Sequence, residues 1–344
     1  MLLEFGIFLT SLLVFLILWI IISNWFNGPL TDLTHSMIGK IVIITGGSRG
    51  IGFETTKDLL RQGATVIIAS RDPIQANKAI ESIKNNTHKS KCIYMHLDLT
   101  DFDNICQFTE QIKKKYGKID ILINNAGSCF NNFTLSDGIE LTYFTNHLGH
   151  LILSSLLLDD FNPKGRIINV VTTKYKRIST STLDKFTSVS NLDFSYIRKR
   201  YDWMKTYILS KLAGIHLAQY LDDYCTNEKK DIKIVALHPG FINNHFFREI
   251  EKYSIYWFIR DFIQTPFRWL IFKDNVMGAQ TTLHCCYLEW EKLSHGGYYR
   301  DCHYEKLKPI GLLHNARKLI SFDKAIIEKN NIVKNNSKVM RIFK

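Results

Sequence analysis

Six short apolar runs recur along the chain: KIVIIT at 40–45, ATVIIAS at 64–70, KCIYMHL at 91–97, KIDILINN at 118–125, GRIINVV at 165–171 and DIKIVAL at 231–237. Each is rich in Ile or Val and too short for a helix, and helical segments such as FETTKDLLRQG (53–63) lie between them. Strands that are apolar along their whole length bury both faces, so this alternation predicts a parallel sheet covered by helices on either side. With right-handed crossovers, the expected fold class is α/β, a doubly wound parallel sheet in a single domain. No internal repeat or second domain is needed.

Ahead of the first strand, FGIFLTSLLVFLILWIIISNWF (5–26) carries no charge and is long enough to cross a bilayer core. A cleaved signal peptide would have a basic start, a shorter apolar run and a small-residue cleavage site, whereas Glu4 is the only early charge here. The expectation is therefore an uncleaved transmembrane helix within residues 1–30, with membrane lipid as its partner. Trp19, Trp25 and Phe26 suit the interfacial aromatic belt. No Lys or Arg precedes Lys40, so charge asymmetry says little about orientation.

A formal charge of +12 and a pI near 9.2 suit nucleic acid, an anionic membrane surface or an anionic cofactor. The chain has no zinc-finger spacing, basic zipper or aromatic-flanked RNA motif, which argues against nucleic acid. Part of the excess falls in the last residues, where Lys329, Lys334, Lys338, Arg341 and Lys344 follow Glu328 without an acid among them. Residues 326–344 are expected to form a basic tail, solvated or resting on anionic headgroups. The seven cysteines are scattered, without paired-ligand spacing, which points to a reduced compartment and no metal site. The sequons at Asn85, Asn132 and Asn335 are read as chance matches in an Asn-rich chain.

Between the first apolar run and the first helical segment stands Thr45-Gly46-Gly47-Ser48-Arg49-Gly50-Ile51-Gly52. Glycines there let the backbone turn tightly and approach a pyrophosphate, whose charge the helix N-terminus then stabilises. A dinucleotide is the expected cofactor. Where NAD-binding chains place an acid for the ribose 2′-hydroxyl, this one has Ser70 followed by Arg71. An acid would repel a 2′-phosphate, while Arg71 and Arg49 can form charge-assisted bonds to it, so NADP(H) is expected. Asp98, in HLDLTD, is a candidate for the adenine amino group and equally for a helix N-cap.

Taken together, TGGSRGIG (45–52), NNAG (124–127), NHLGH (146–150), YILSK (207–211) and HPG (238–240), with GAQTTLHC (278–285), resemble the short-chain dehydrogenase/reductase family, and within it the retinol dehydrogenase-like branch. The resemblance covers roughly residues 38–320, so a catalytic domain of Rossmann type is expected over 38–325. It implies cofactor contacts at Thr45, Gly46, Ser48, Arg49, Gly50, Ile51, Gly52, Ser70, Arg71, Asp98, Leu99, Asn125, Ala126, Gly127, Pro239 and Gly240. It also implies that Tyr207 is the general acid/base. Tyr207 and Lys211 lie four residues apart, on one helix face, where an ammonium can lower the phenol pKa. Tyr201 and Lys205 share that spacing, but only the later pair continues as Ser210-Lys211-Leu212-Ala213.

The resemblance further implies that Lys211 bonds the nicotinamide ribose and that Asn146 holds a water in a proton relay. The sequence departs from the family in two places. Three positions after Asn169, where the family has serine, stands Thr172, whose hydroxyl can donate the same bond in a narrower geometry. The stretch 173–206 is longer than usual, and its extra length near KRISTSTLDK is expected to be a surface insertion.

After Gly240 comes FINNHFFREIEKYSIYWFIRDFIQTPFRWLIF, whose aromatic residues suit a lid over a lipophilic substrate, packing against the body of the domain, or dipping into the membrane. Asn243 and Asn244 stand where a cofactor-contacting threonine is usual, which puts that contact in doubt. The expected activity is interconversion of a lipophilic alcohol and its aldehyde or ketone, with a retinoid, steroid or fatty aldehyde as substrate. The alternative is a catalytically weak, cofactor-binding membrane scaffold. The expected location is the endoplasmic reticulum membrane with the catalytic domain facing the cytosol; a homodimer is left open.

Overall fold

The computed structural model describes residues 2–32, 35–84, 91–242, 273–334 and 336–343. The stretch read as an aromatic lid therefore lies, from Asn243 and Asn244 through Phe272, outside the described residues, as do Asn85 and Asn335. The strands are β1 (Ile41–Thr45), β2 (Thr65–Ser70), β3 (Cys92–His96), β4 (Ile119–Asn124), a small hairpin β5 (Leu135–Ser136) and β6 (Ile139–Glu140), β7 (Phe161–Val170), β8 (Ile232–His238), β9 (Tyr298–Arg300) and β10 (His303–Tyr304). The helices are α1 (Leu2–Asn27), α2 (Gly50–Arg61), α3 (Pro73–Lys84), α4 (Phe102–Tyr116), α5 (Leu141–Tyr143), α6 (Gly149–Leu157), α7 (Thr180–Phe186), α8 (Ser195–Arg198), α9 (Trp203–Asn227), α10 (Asn275–Tyr287), α11 (Leu313–Lys329) and α12 (Ser337–Met340). A π-helical turn, Phe144–Leu148, joins α5 to α6.

Eight strands form one sheet in the order β10-β9-β8-β7-β4-β1-β2-β3. All are parallel to their neighbours except β10, which runs antiparallel to β9. The six apolar runs supply the first six strands of this sheet. The short YYR and HY segments of β9 and β10 lack a Val/Ile run and were not legible as strands. Alternate residues of each strand point to opposite layers. Ile43, Ile67 and Leu122 enter the larger core with α4, α6 and α9, whereas Val42, Ile44, Val66 and Ile123 pack with Leu59 and Leu60 of α2 and Leu283 of α10. The sheet order reverses between β1 and β4, and the crevice beyond their carboxyl ends is where such folds bind ligands.

The apolar residues of α1 are exposed from Phe5 to Ile22, apart from a half-buried Trp19. The side chains of Trp25 and Phe26 lie outside the described residues. Past Asn27 the chain lies on the domain. Thr31 N–H donates to Gln280 Oε1 at 3.1 Å, the His35 ring stacks on Tyr287 at 5.9 Å, and Met37 N–H donates to Gln62 O at 2.8 Å. The linker thus follows α10 to its end and reaches the loop after α2, which delivers the chain to β1. All seven cysteines are unpaired.

Two expectations are corrected. Residues 326–343 are not a free tail: α11 runs through Lys329, and Ile326, Ile327, Ile332, Val333, Val339 and Ile342 are buried in the larger core. The basic residues occupy the outer face, where Lys334 pairs with Asp103 at 2.6 Å and Arg341 pairs with Asp159. Nor is the stretch near KRISTSTLDK (176–185) a surface insertion, because Leu183 within it and Tyr175, Phe186 and Phe194 on either side are fully buried. Phe186 and Phe194 meet Tyr143, with ring centroids 5.2 and 5.9 Å away, and also pack on Phe322 of α11. In this closed space Asp323 accepts from the Tyr143 hydroxyl at 2.6 Å and pairs with His147 Nε2 at 2.7 Å.

Removing the shared acceptor of a fully buried hydrogen-bonded cluster leaves its partners desolvated and unsatisfied. Asp323→Ala should therefore cost on the order of 3 kcal/mol of stability, read as a lower urea midpoint with an unchanged slope in detergent-solubilised protein.

Candidate active site

The glycine turn follows β1 directly, and its glycines are required sterically. Gly46 and Gly50 have φ of +66° and +58°, which side-chain-bearing residues rarely adopt. A Cβ on Gly52 would overlap Gly46 O and come within 2.6 Å of Asn125 Nδ2. Helix α2 begins here with no side-chain cap at Arg49. By contrast α4, α9 and α10 are capped by Asp101, Asp202 and Asp274. The first N–H groups of α2 are thus left for an external acceptor, which fits a pyrophosphate.

Thr45 and Asn125 hold this turn in place. Thr45 Oγ1 accepts from the backbone N–H of Asn125 at 3.0 Å and of Ala126 at 2.9 Å, and Asn125 Nδ2 donates to Thr45 O at 2.9 Å. A further residue, not singled out from the sequence, joins them: His150 Nε2 lies 3.0 Å from Thr45 Oγ1 and its Nδ1 lies 3.1 Å from Asn146 O. Burial pushes the His150 imidazole down to about 3, so it is neutral. A neutral ring bonded to a carbonyl through Nδ1–H accepts the Thr45 hydroxyl at Nε2. Its position four residues after Asn146 was the available signal, because it places both on one side of the turn.

Asn146 itself is buried in the π-helical turn. Its Nδ2 donates to Ser128 O at 2.9 Å and to Ser210 Oγ at 3.0 Å, and its Oδ1 accepts from Ser128 N–H at 2.7 Å. Ser210 was also missed, although it lies within the YILSK motif; its hydroxyl donates to Tyr207 O at 2.8 Å. Tyr207 and Lys211 are one turn apart on α9. A Cβ on Gly127 would lie 3.2 Å from Lys211 Nζ and 3.5 Å from Asn146 Oδ1, so these groups converge beside Gly127. Lys211 Nζ donates to Val170 O at 2.9 Å, at the end of β7. Two residues on, the buried Thr172 accepts from Lys174 N–H at 3.3 Å, and an accepting hydroxyl keeps its own proton to donate. Tyr201 precedes α9 and bonds Phe130 O and Glu140, so its pairing with Lys205 on one helix face does not arise.

The downward shift expected for Tyr207 is not what this geometry gives. Burial, and next the nearby Cys129, hold the phenol above its ordinary range, while burial brings Lys211 down to about 8. The helix is fixed on the sheet by Asn169, whose Nδ2 donates to Gly214 O at 3.0 Å and whose Oδ1 accepts from Asn124 Nδ2 at 2.8 Å.

At the far corner Ser70 is half-buried and Arg71 is exposed. Arg49 lies 3.6 Å from Asp72, an acid overlooked in the sequence, whose other oxygen caps α3 through Gln75 N–H at 3.0 Å. Ser48 is buried, Ile51 half-buried, and Leu99 O lies against Gly149. Asp98 is not a helix cap, since α4 is capped by Asp101; its Oδ1 accepts from Thr100 N–H at 2.9 Å and Thr100 Oγ1 at 2.7 Å. Pro239 and Gly240 follow β8, and Gly240, at φ +99°, presses on the Lys273 side chain.

Residues 40–180 match the family model described as short chain dehydrogenase. Retinol dehydrogenase 12 of Mus musculus is 32% identical over 286 residues, covering 82% of this chain and 84% of that protein. A chloroplastic short-chain dehydrogenase of Brassica napus is 33% identical over 283 residues, or 79% and 83% of the two chains. Among solved structures, the L-sorbose reductase of Gluconobacter frateurii, complexed with NADPH and L-sorbose, superposes with a TM-score of 0.61 at 18% identity. That match covers 77% of this chain and 96% of the other.

The buried Lys211 makes a testable demand on stability. A lysine lowered to about 8 is charged at pH 7 in both folded and unfolded chains, but only the folded state bears the burial cost. Above pH 8 the folded chain sheds the proton first, so stability from this residue rises toward pH 10.5, the ordinary lysine value. Lys211→Met should therefore raise stability at pH 7 by on the order of 1–3 kcal/mol, with the gain shrinking by pH 10 in urea titrations.

Proposed function

Because the chain belongs to the short-chain dehydrogenase/reductase family, in its retinol dehydrogenase-like branch, we propose that it is a membrane-anchored, NADP(H)-dependent oxidoreductase. It interconverts a lipophilic alcohol and the corresponding aldehyde or ketone. The observation that carries this reading is the convergence of Lys211 and Asn146 beside Gly127, with Tyr207 one turn before Lys211 on α9 and the end of β7, two residues before Thr172, bonded to Lys211.

A bound nicotinamide dinucleotide supplies the hydride acceptor or donor. Gly46, Gly50 and the uncapped N-terminus of α2 take its pyrophosphate, and Asn125 and Thr45 keep that turn at a fixed height over β4. Tyr207 passes a proton to the substrate oxygen in reduction and removes it in oxidation, while Thr172 donates a hydrogen bond to the same oxygen. Lys211, on the same helix face, bonds the nicotinamide ribose, and Asn146 supports the proton relay from behind. Burial holds the Tyr207 phenol above its ordinary range, so it is protonated and able to donate to a carbonyl oxygen.

NADP(H) is favoured by the corner at Ser70. The Arg49–Asp72 pair is 3.6 Å long with the arginine side chain 71% exposed, so it is weak enough to give way to a 2′-phosphate. Asp72 is engaged as the cap of α3, and Arg71 is exposed beside it. A retinoid is the first substrate to try, with steroids and long-chain aldehydes next. The anchor is α1, placed in the endoplasmic reticulum membrane with the domain on the cytosolic side, where NADPH favours reduction.

Full-length protein should oxidise NADPH with at least one member of a retinoid, steroid and fatty-aldehyde panel. Tyr207→Phe should lower turnover about 100-fold or more with NADPH affinity intact. Binding without turnover across the whole panel would instead favour the scaffold reading. Thr172→Ser should retain activity and Thr172→Val lose most of it. For the cofactor, Arg71→Ala should reduce the preference for NADPH over NADH about tenfold, the equivalent of one charge-assisted bond; an unchanged ratio would sink that assignment.

A further inference from the structure

Outside α1, the exposed large apolar residues are few among the described residues, and four of them collect at one place. Leu30 (68% exposed) is in the linker, Phe241 (52%) follows β8, Val276 (45%) opens α10, and Tyr304 (59%) is in β10. Their elements are tied to one another. Gln280 receives Thr31 N–H and donates to Val276 O at 3.1 Å, Lys273 N–H donates to Phe241 O at 2.7 Å, and Cys302 Sγ approaches Pro29 O at 3.7 Å. Beneath them the nearly buried Lys273 pairs with Asp301 at 2.6 Å. Two left-handed glycines close on that lysine from opposite sides: a Cβ on Gly28 would lie 2.9 Å from its Nζ, and one on Gly240 2.7 Å from its Cδ.

The exit of α1 is therefore clamped to the carboxyl end of the sheet, next to Pro239-Gly240. From Asn27, the last residue of α1, to Leu30 the chain can extend no more than about 10 Å. The headgroup layer on one side of a bilayer is about 5–8 Å thick. Leu30 cannot then stand far from that layer, and the elements clamped to its neighbours come with it. Lys306 and Lys308, both exposed just past Tyr304, suit anionic headgroups.

We infer that Leu30, Phe241, Val276 and Tyr304 form a second lipid-contact surface, which seats the carboxyl end of the sheet on the bilayer that α1 enters. This rests on the reading of α1 as a membrane span. It deepens that reading: the domain is held in one orientation rather than tethered, and a lipophilic substrate reaches the site end of the sheet without crossing bulk water.

The test uses the full chain in phosphatidylcholine vesicles, with bimane on Leu30→Cys, Phe241→Cys or Tyr304→Cys and doxyl-labelled lipid as quencher. Unsubstituted protein gives the labelling background. Leu13→Cys reports on α1, while Val189→Cys and Ile38→Cys, also highly exposed, are controls away from the surface. Quenching at Leu13 and at least twofold more quenching at the three surface positions than at the controls is expected. Quenching at Leu13 alone overturns the surface and leaves the anchor standing. No quenching at Leu13 or at the surface overturns both. Surface positions protected from aqueous iodide yet untouched by doxyl lipid would mean that protein covers them, and would overturn the lipid assignment.

Discussion

One hydroxyl group sets the relation between the two halves of this site. Thr45 Oγ1 stands at the end of β1, takes two N–H groups from the loop after β4, and meets the imidazole that is bonded to Asn146. Three elements distant in sequence thereby share one oxygen, and each valence of that oxygen is used. Moving the glycine turn would break these bonds in a buried space where water cannot replace them. The steric demands of Gly46 and Gly52 act in the same direction, since the turn can sit this close to Asn125 only without side chains. The glycine turn and the turn that carries Asn146 are held in register by polar contacts rather than by packing alone.

Much of this was legible in the sequence because it is local or periodic. The six apolar runs are strands, the glycine turn follows β1, and Tyr207 and Lys211 share a face of α9, all consequences of spacing within a few residues. What was not legible depends on distant partners. The stretch near KRISTSTLDK reads as an insertion because hydroxyls and bases dominate it, yet the core takes Leu183 within it and Tyr175 and Phe186 at its edges and leaves most of the polar residues outside. The last residues look like a basic tail for the same reason: Ile326, Ile332, Val339 and Ile342 are thinly scattered among lysines. His150 and Asp72 were overlooked because their roles exist only once β1 and the Arg49 turn have come to them.

The electrostatic expectation for Tyr207 went astray for a related reason. Sequence spacing shows that an ammonium is near a phenol, but it does not show how dry the surroundings are. Burial acts against the charged form of both groups, raising the tyrosine and lowering the lysine.

The buried Asp323 also says something about how the chain is made. Its partner His147 lies 176 residues earlier, and the intervening chain includes all of α9 and β8. A ribosome has made every strand of the sheet while Asp323 is still unmade. Throughout that interval the π-helical turn lacks the carboxylate that satisfies Tyr143 and His147. The turn that holds Asn146 is thus supported late, and a protein cut short before α11 would carry the motifs at 45–52, 124–127, 146–150 and 207–211 on an unfinished support.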